Sequence, residues 1–196
     1  MTEHESVDTA GDIAIVGMAG RFPASPGVEE LWQNLLGGVE CIRFFTEEEL
    51  RAAGVPEVLF RDPSYVPAHG YLEGIDLFDA SFFEISPREA EVTDPQIRLF
   101  LETCWEALEN AGIDPERHPG AIGVFAGASN NAYVIDNLIT RPDVIEAVGY
   151  TQTALGNHTD FVATRASYKL DLKGPSVTVQ TACSTGLVTV HMGCQS

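Results

Sequence analysis

The run Val177-Thr178-Val179-Gln180-Thr181-Ala182-Cys183-Ser184-Thr185-Gly186-Leu187 limits what this chain can fold into more than any other segment. Val177, Thr178 and Val179 are β-branched and follow a Gly174-Pro175 turn, which predicts a short buried strand. From Thr181 to Gly186 every residue is small, as a tight turn with close backbone approach requires. Leu187, Val190, His191 and Cys194 then recur at i, i+3, i+4 and i+7, one face of a helix. This order sets Cys183 beside the unpaired N–H groups of a helix start. The setting favours thiolate over thiol. The same N–H groups can receive the oxyanion that develops when sulfur attacks a thioester or ester carbonyl. The arrangement is the cysteine counterpart of the strand–nucleophile–helix elbow of serine hydrolases. The competing reading is a small buried hydrophobe, a common fate of free cysteine.

The other cysteines lack this setting. Cys104 falls on the apolar face of a helix, Cys194 lies on the helix beyond Cys183, and Cys41 follows a Gly-Gly pair. With no CxxC or Cys/His spacing, no metal site is expected. Four scattered cysteines without an export signal point to a reducing cytoplasm. At 196 residues, with 44% hydrophobic and 20% charged side chains, the chain can bury one sizeable core. No stretch approaches the roughly 20 apolar residues of a membrane span. The net charge of -18 is uneven: residues 1–116 hold 24 acidic and 6 basic side chains, and residues 117–196 hold 5 of each. A surface of that sign disfavours nucleic acid, whose phosphates need a basic face.

Residues 1–11 read as a disordered acidic leader. Asp12 to Val16 predicts a buried strand, and the GMAG that follows lacks the spacing of a dinucleotide site. Val28 to Leu36 predicts a short amphipathic helix stopped by Gly37-Gly38. Thr46 and Glu49 form a capping-box pattern opening a second helix. Ser86-Pro87 opens another with proline at its first position. Asp94-Pro95 begins the clearest helix, with Ile97, Phe100, Leu101, Cys104, Trp105 and Leu108 as its apolar face and Asn110-Ala111-Gly112 as its end. Ala121 to Ala126 predicts a second buried strand, leading into the polar loop Gly127-Ala128-Ser129-Asn130-Asn131. That loop could line a pocket or serve only as a turn. Asn157 to Tyr168 predicts a further helix. Interleaved strands and helices give the α/β class.

These motifs together resemble the N-terminal half of a β-ketoacyl synthase domain, specifically the ketosynthase of a modular type I polyketide synthase. The resemblance rests on DIAIVGMAGRFP, VEELWQNLL, FDASFFEISPREAEVTDPQIRLFLETCWEALENAGIDP, GVFAG and GNHTDFVATRASYKLDLKGPSVTVQTACSTGLVTVH, in the family's order from Asp12 onward. It implies a thiolase-like fold, a mixed sheet flanked by helices, of which residues 12–196 are the N-terminal portion, cut off after the nucleophile helix. It also implies that Cys183 accepts an acyl chain from the phosphopantetheine arm of an acyl carrier protein, with its backbone N–H forming part of the oxyanion hole. The acyl-enzyme is then attacked by the carbanion from decarboxylation of a malonyl-type extender, giving a β-ketoacyl thioester. The domain itself holds no cofactor. Expected partners are the carrier protein, the acyltransferase and other synthase domains, and a second copy in a homodimer. Gln180 stands where the family commonly has Asp, and Thr185-Gly186 replace a Ser-Ser pair.

In that family two histidines and a lysine from the C-terminal half drive decarboxylation, and this sequence ends before those motifs. His191 reads as a helix-face residue, His4 lies in the leader, and His69, His118 and His158 fall outside the catalytic motifs. Residues 1–196 are therefore expected to be part of a longer condensing enzyme and, alone, inactive in carbon–carbon bond formation. Two alternatives are a non-catalytic half-domain acting in interaction or dimerisation, and a simpler thiol hydrolase or acyltransferase using Cys183 without a base.

Overall fold

A computed structural model describes residues 11–196, which divide into two compact units, residues 19–77 and residues 78–196 with the preceding segment up to Met18. The acidic leader expected over 1–11 lies, except for Gly11, outside the described residues.

The unit of residues 19–77 is built from short elements. Helix α1 spans Val28–Gly37 and ends where Gly38 turns left-handed (φ 62°), its N–H returning to the Asn34 and Leu35 carbonyls. Asn34 ties the helix to the preceding turn, donating to the Ala24 carbonyl and the Ser25 hydroxyl at 3.0 and 2.9 Å. Strand β1 (Arg43–Phe44) leads into α2 (Glu47–Ala52) and α3 (Glu57–Phe60), and β1 pairs antiparallel with β2 (Ala68–His69). The predicted capping box is complete: Glu49 N–H donates to Thr46 Oγ1 at 3.2 Å, and Thr46 N–H donates to the Glu49 carboxylate at 2.8 Å. Leu50 supplies the buried anchor of α2. The Arg43 guanidinium lies over the Phe45 and Tyr71 rings, 5.0 and 4.9 Å from their centroids, which fastens the two-residue ladder.

The second unit carries the main core. Helix α4 (Pro87–Val92) is capped by Ser86, and α5 (Pro95–Asn110) by Asp94, each with proline in its first turn. Along α5, Ile97 and Leu101 are fully buried, and Phe100, Cys104, Trp105 and Leu108 pack against the same core, the face expected from their spacing. Strand β3 (Val124–Ala126) follows. A π-helical turn (Val134–Leu138), α6 (Pro142–Val148), α7 (Tyr150–Leu155), a 3-10 turn (Thr159–Phe161) and α8 (Val162–Lys169) then cross over to β4 (Ser176–Thr178). Strands β3 and β4 are parallel, in the register Val124↔Ser176 to Ala126↔Thr178, as a long helical crossover allows. A last 3-10 turn (Ala182–Ser184) opens α9 (Thr185–Gln195).

Alternation along β3 sorts the layers. Val124 and Ala126 enter the core formed with Ile97 and Leu101 of α5 and with Val162, Ala163 and Ala166 of α8. Phe125 points the other way, to α9, its ring 3.6 Å from where a side chain on Gly193 would begin. Each fully buried aliphatic side chain contributes about 1.5–3 kcal/mol, so this α5/α8 layer is the main source of the unit's stability. A smaller cluster of Val92, Leu138 and Val144 closes α4 against α6.

Several expectations are corrected. Asp12 to Val16 forms no strand, and Ile13, Ile15 and Val16 are 61, 80 and 64% exposed. A β-branched run becomes a strand only beside a partner edge, and the described residues give this segment none. The segment is instead pinned just downstream, where Met18 N–H donates to Asn110 Oδ1 at 3.0 Å. Strand β3 starts at Val124 rather than Ala121, and β4 covers 176–178 rather than 177–179, although Val179 N–H still bonds the Ala126 carbonyl at 2.8 Å. The helix expected from Asn157 begins as a 3-10 turn at Thr159, because Asn157 is committed elsewhere. On α9, the face carrying Leu187, Val190, His191 and Cys194 is exposed, whereas Val188, Thr189 and Met192 are half-buried.

Candidate active site

Thr178 ends the parallel ladder, and three residues later the chain turns sharply into α9. Ala182 has φ 52°, a left-handed conformation that a residue with a β-carbon adopts at a cost of about 1–3 kcal/mol. Cys183 follows it in the middle of the 3-10 turn. Hydroxyl groups hold the turn on both sides. Thr181 N–H donates to Thr185 Oγ1 at 2.9 Å, and Ser184 Oγ donates to the Thr181 carbonyl at 2.8 Å. Ser184 N–H and Thr185 N–H are taken up by the carbonyls of Thr181 and Ala182. The Cys183 N–H has no acceptor among the described residues.

Cys183 is exposed among the described residues, unlike a small buried hydrophobe. It opens on a cleft of about 900 Å³ that also bears Gln180, Thr185 and Thr189 on its own side. Phe100 and Phe125 give the cleft apolar surface, and Gln96, Ala128, Ser129 and Asn130 line it from α5 and the loop after β3. Residues 127–130 of the polar loop therefore line a pocket, one of the two roles open to that loop from sequence. Apart from Cys183, no titratable side chain lines this cleft among the described residues.

Close approach depends on Gly127. A β-carbon there would lie 2.3 Å from the Thr185 methyl group and 2.4 Å from the Val179 carbonyl oxygen. The loop is also fastened at two points. Gln96 Oε1 accepts from Ser129 N–H at 2.9 Å, and Asn131 Nδ2 donates to the carbonyl and side-chain oxygens of Asn157 at 2.8 and 3.0 Å. Asn157 is buried and donates in turn to the carbonyls of Val92 and Thr153. Sequence reading found neither Gln96 nor Asn157. Gln96 follows a capping Asp and a Pro, the usual pattern of a helix start, and nothing local marks its reach to a loop 33 positions away.

Among the described residues no other cysteine and no histidine lines the cleft. Burial pushes the Cys104 thiol up to about 12, so it stays protonated in the core. Cys194 and His191 are exposed on α9, and His69, His118 and His158 are exposed outside the cleft lining. His4 lies outside the described residues. Among the described residues no group of three or more His, Cys, Asp or Glu side chains could hold a metal ion, and no helix is long and apolar enough to cross a membrane.

Residues 10–196 match the family model "Beta-ketoacyl synthase, N-terminal domain". The chain is 48% identical over 190 residues to a phenolphthiocerol/phthiocerol polyketide synthase of Mycobacterium tuberculosis, covering 94% of this chain and 13% of that protein. It is 43% identical over 196 residues to an erythronolide synthase of Saccharopolyspora erythraea, covering 96% of this chain and 6% of that protein. Among solved structures, ketosynthase twelve of the bacillaene polyketide synthase of Bacillus amyloliquefaciens superposes with a TM-score of 0.81 at 43% identity. That match covers 93% of this chain and 32% of the solved one. It gives the chain the N-terminal part of a thiolase-like α/β fold.

Proposed function

Because the chain belongs to the β-ketoacyl synthase family, we propose that Cys183 is the acyl-accepting nucleophile of a polyketide synthase ketosynthase. Residues 12–196 are then the N-terminal portion of that domain, and residues 1–11 precede it as an acidic leader. The observation that carries the assignment is an exposed thiol, set behind a left-handed alanine at the start of α9, facing a partly apolar cleft of about 900 Å³.

The chemistry runs in two stages. The Cys183 thiolate attacks the carbonyl carbon of an acyl thioester carried on the phosphopantetheine arm of an acyl carrier protein. A bond forms between sulfur and the carbonyl carbon, the bond to the arm's sulfur breaks, and that sulfur leaves as a thiolate and takes up a proton. The Cys183 N–H, which has no acceptor among the described residues, would donate to the oxyanion of this step. A malonyl-type extender then loses carbon dioxide. The freed electron pair attacks the acyl carbon, Cys183 leaves as a thiolate, and a β-ketoacyl thioester is the product.

The second stage needs groups that can assist decarboxylation and move protons, typically a 10²- to 10⁴-fold effect each. The cleft offers none among its described lining. The proposal therefore places those groups outside residues 11–196 and takes residues 12–196 alone to be inactive in condensation. Partners are an acyl carrier protein, an acyltransferase and other synthase domains, and a second copy of the ketosynthase. The setting is cytoplasmic, in keeping with four free cysteines.

The test uses the natural protein that carries these residues, with an acyl-loaded carrier protein and a malonyl-loaded one. Condensation product and released carbon dioxide are expected, and the condensation product is expected to disappear in Cys183→Ala. Condensation by the Cys183→Ala protein at an undiminished rate would overturn the proposal.

A further inference from the structure

The cleft has one wall held by side-chain contacts that the reaction chemistry does not require. Gln96 is the second residue of α5, where its backbone N–H is already satisfied by the capping Asp94 Oδ1 at 2.8 Å. Its carboxamide is free to do something else, and it pairs with the loop. Oε1 accepts from Ser129 N–H at 2.9 Å, while Nε2 donates to Asp94 Oδ2 at 3.2 Å and reaches the Ser129 carbonyl at 3.5 Å. One side chain thus meets both backbone polar groups of Ser129, using a donor and an acceptor at once. Only an amide of this length offers both at these positions.

Gln96 also lines the cleft, and so does Phe100, one turn further along the same helix face. Ala128 and Ser129 continue this wall, and Asn131 fixes the loop's far end to buried Asn157. The lining combines the apolar rings of Phe100 and Phe125 with the polar side chains of Gln96, Ser129 and Asn130. Two aromatic rings in the lining offer apolar surface to an extended acyl chain, which has more carbon to bury than a two-carbon one.

We infer that Gln96 is a positioning residue that, through Ser129, fixes the acyl wall of the Cys183 cleft and so sets which acyl chains are accepted. The inference rests on the reading of Cys183 as acyl acceptor and deepens it. Gln96 touches the loop rather than the reacting atoms, and its role is to hold the wall in place when a long chain packs on it. Gln96→Glu keeps the size and the acceptor but loses the donor, and it sets a second carboxylate beside Asp94. Gln96→Met keeps the length and loses both hydrogen-bonding groups.

The experiment measures acylation of Cys183 in the intact natural protein by mass spectrometry, with acetyl and octanoyl N-acetylcysteamine thioesters. The readout is the octanoyl-to-acetyl ratio of second-order rate constants. Loss of the Gln96–Ser129 pairing is expected to lower that ratio on the order of tenfold in Gln96→Met, and at least as much in Gln96→Glu. A merely structural role would slow both acylations together and leave the ratio unchanged, and an unchanged ratio in the folded variants would overturn the inference. Should Gln96→Met fail to fold, Gln96→Glu decides by the same ratio. Absence of acylation from both thioesters in the unsubstituted protein is a different failure, because it overturns the assignment of Cys183 and removes the ground of the inference with it.

Discussion

A β-carbon on Gly127 would fall 2.4 Å from the carbonyl oxygen of Val179, well inside any tolerable contact. That carbonyl belongs to the residue just past β4, so the loop after β3 and the chain entering the cysteine turn can meet only at a glycine. The Thr185 methyl group closes the same gap from α9. Gly127→Ala must push one of these backbones aside. It is expected to destabilise the unit by about 1–3 kcal/mol and to slow alkylation or acylation of Cys183. Urea unfolding and iodoacetamide labelling rates measure the two effects.

Ala182 and Cys183 are linked by backbone conformation. Ala182→Gly removes a left-handed residue with a β-carbon, a gain of about 1–3 kcal/mol, against roughly 0.4–1 kcal/mol of added unfolded-chain freedom. Stability is expected to be unchanged or to rise, by at most about 2.6 kcal/mol. A β-branched residue suffers most in this conformation, so Ala182→Val is expected to lose on the order of 2 kcal/mol or more. Urea midpoints check this, with Ala182→Gly at or above the natural protein and Ala182→Val below it.

Asn157 joins three segments from inside the core, the end of α4 at Val92, the last turn of α7 at Thr153, and the cleft loop at Asn131. Asn157→Leu is expected to cost about 2–4 kcal/mol, since it leaves buried carbonyls without donors. Hydrogen exchange should show faster opening around residues 127–131 than around α5.

Cys104 gives a pH dependence with a defined sign. Burial raises its thiol from an ordinary value near 9.0 to about 12, so the folded state favours the protonated form. The stability associated with this shift is fully present below pH 9 and is lost as pH rises toward 12, with a slope of at most about 1.4 kcal/mol per pH unit. The difference in unfolding free energy between the natural protein and Cys104→Ala should narrow over that window. At about pH 8, below the ordinary thiol range, iodoacetamide should modify Cys183 and Cys194 while Cys104 stays intact.

The parts of the fold legible in sequence are those fixed by neighbours in the chain. The Thr46–Glu49 box, the Ser86 and Asp94 caps and the apolar face of α5 are local patterns, and each forms as its spacing requires. The cysteine turn is legible for the same reason: β-branched residues, then small ones, then a helical period. Residues 12–16 mislead because strand formation depends on an edge that no local pattern reveals. Residues 132–156 hold a π-helical turn and two short helices whose apolar residues, Leu138 and Val144, keep no sustained period. The clamp on the cleft wall is illegible too, since Gln96 and Ser129, or Asn131 and Asn157, meet only after the chain has crossed over.

The central claim is that Cys183 carries the acyl group. Its most direct test is intact-protein and peptide mass spectrometry of the natural protein after incubation with an acyl-loaded carrier protein in the absence of extender. The expected result is one acyl adduct on the peptide containing Cys183, with the carrier thiol freed in equal amount and no adduct in Cys183→Ala. An adduct located on Cys41, Cys104 or Cys194, or one that persists in Cys183→Ala, would contradict it.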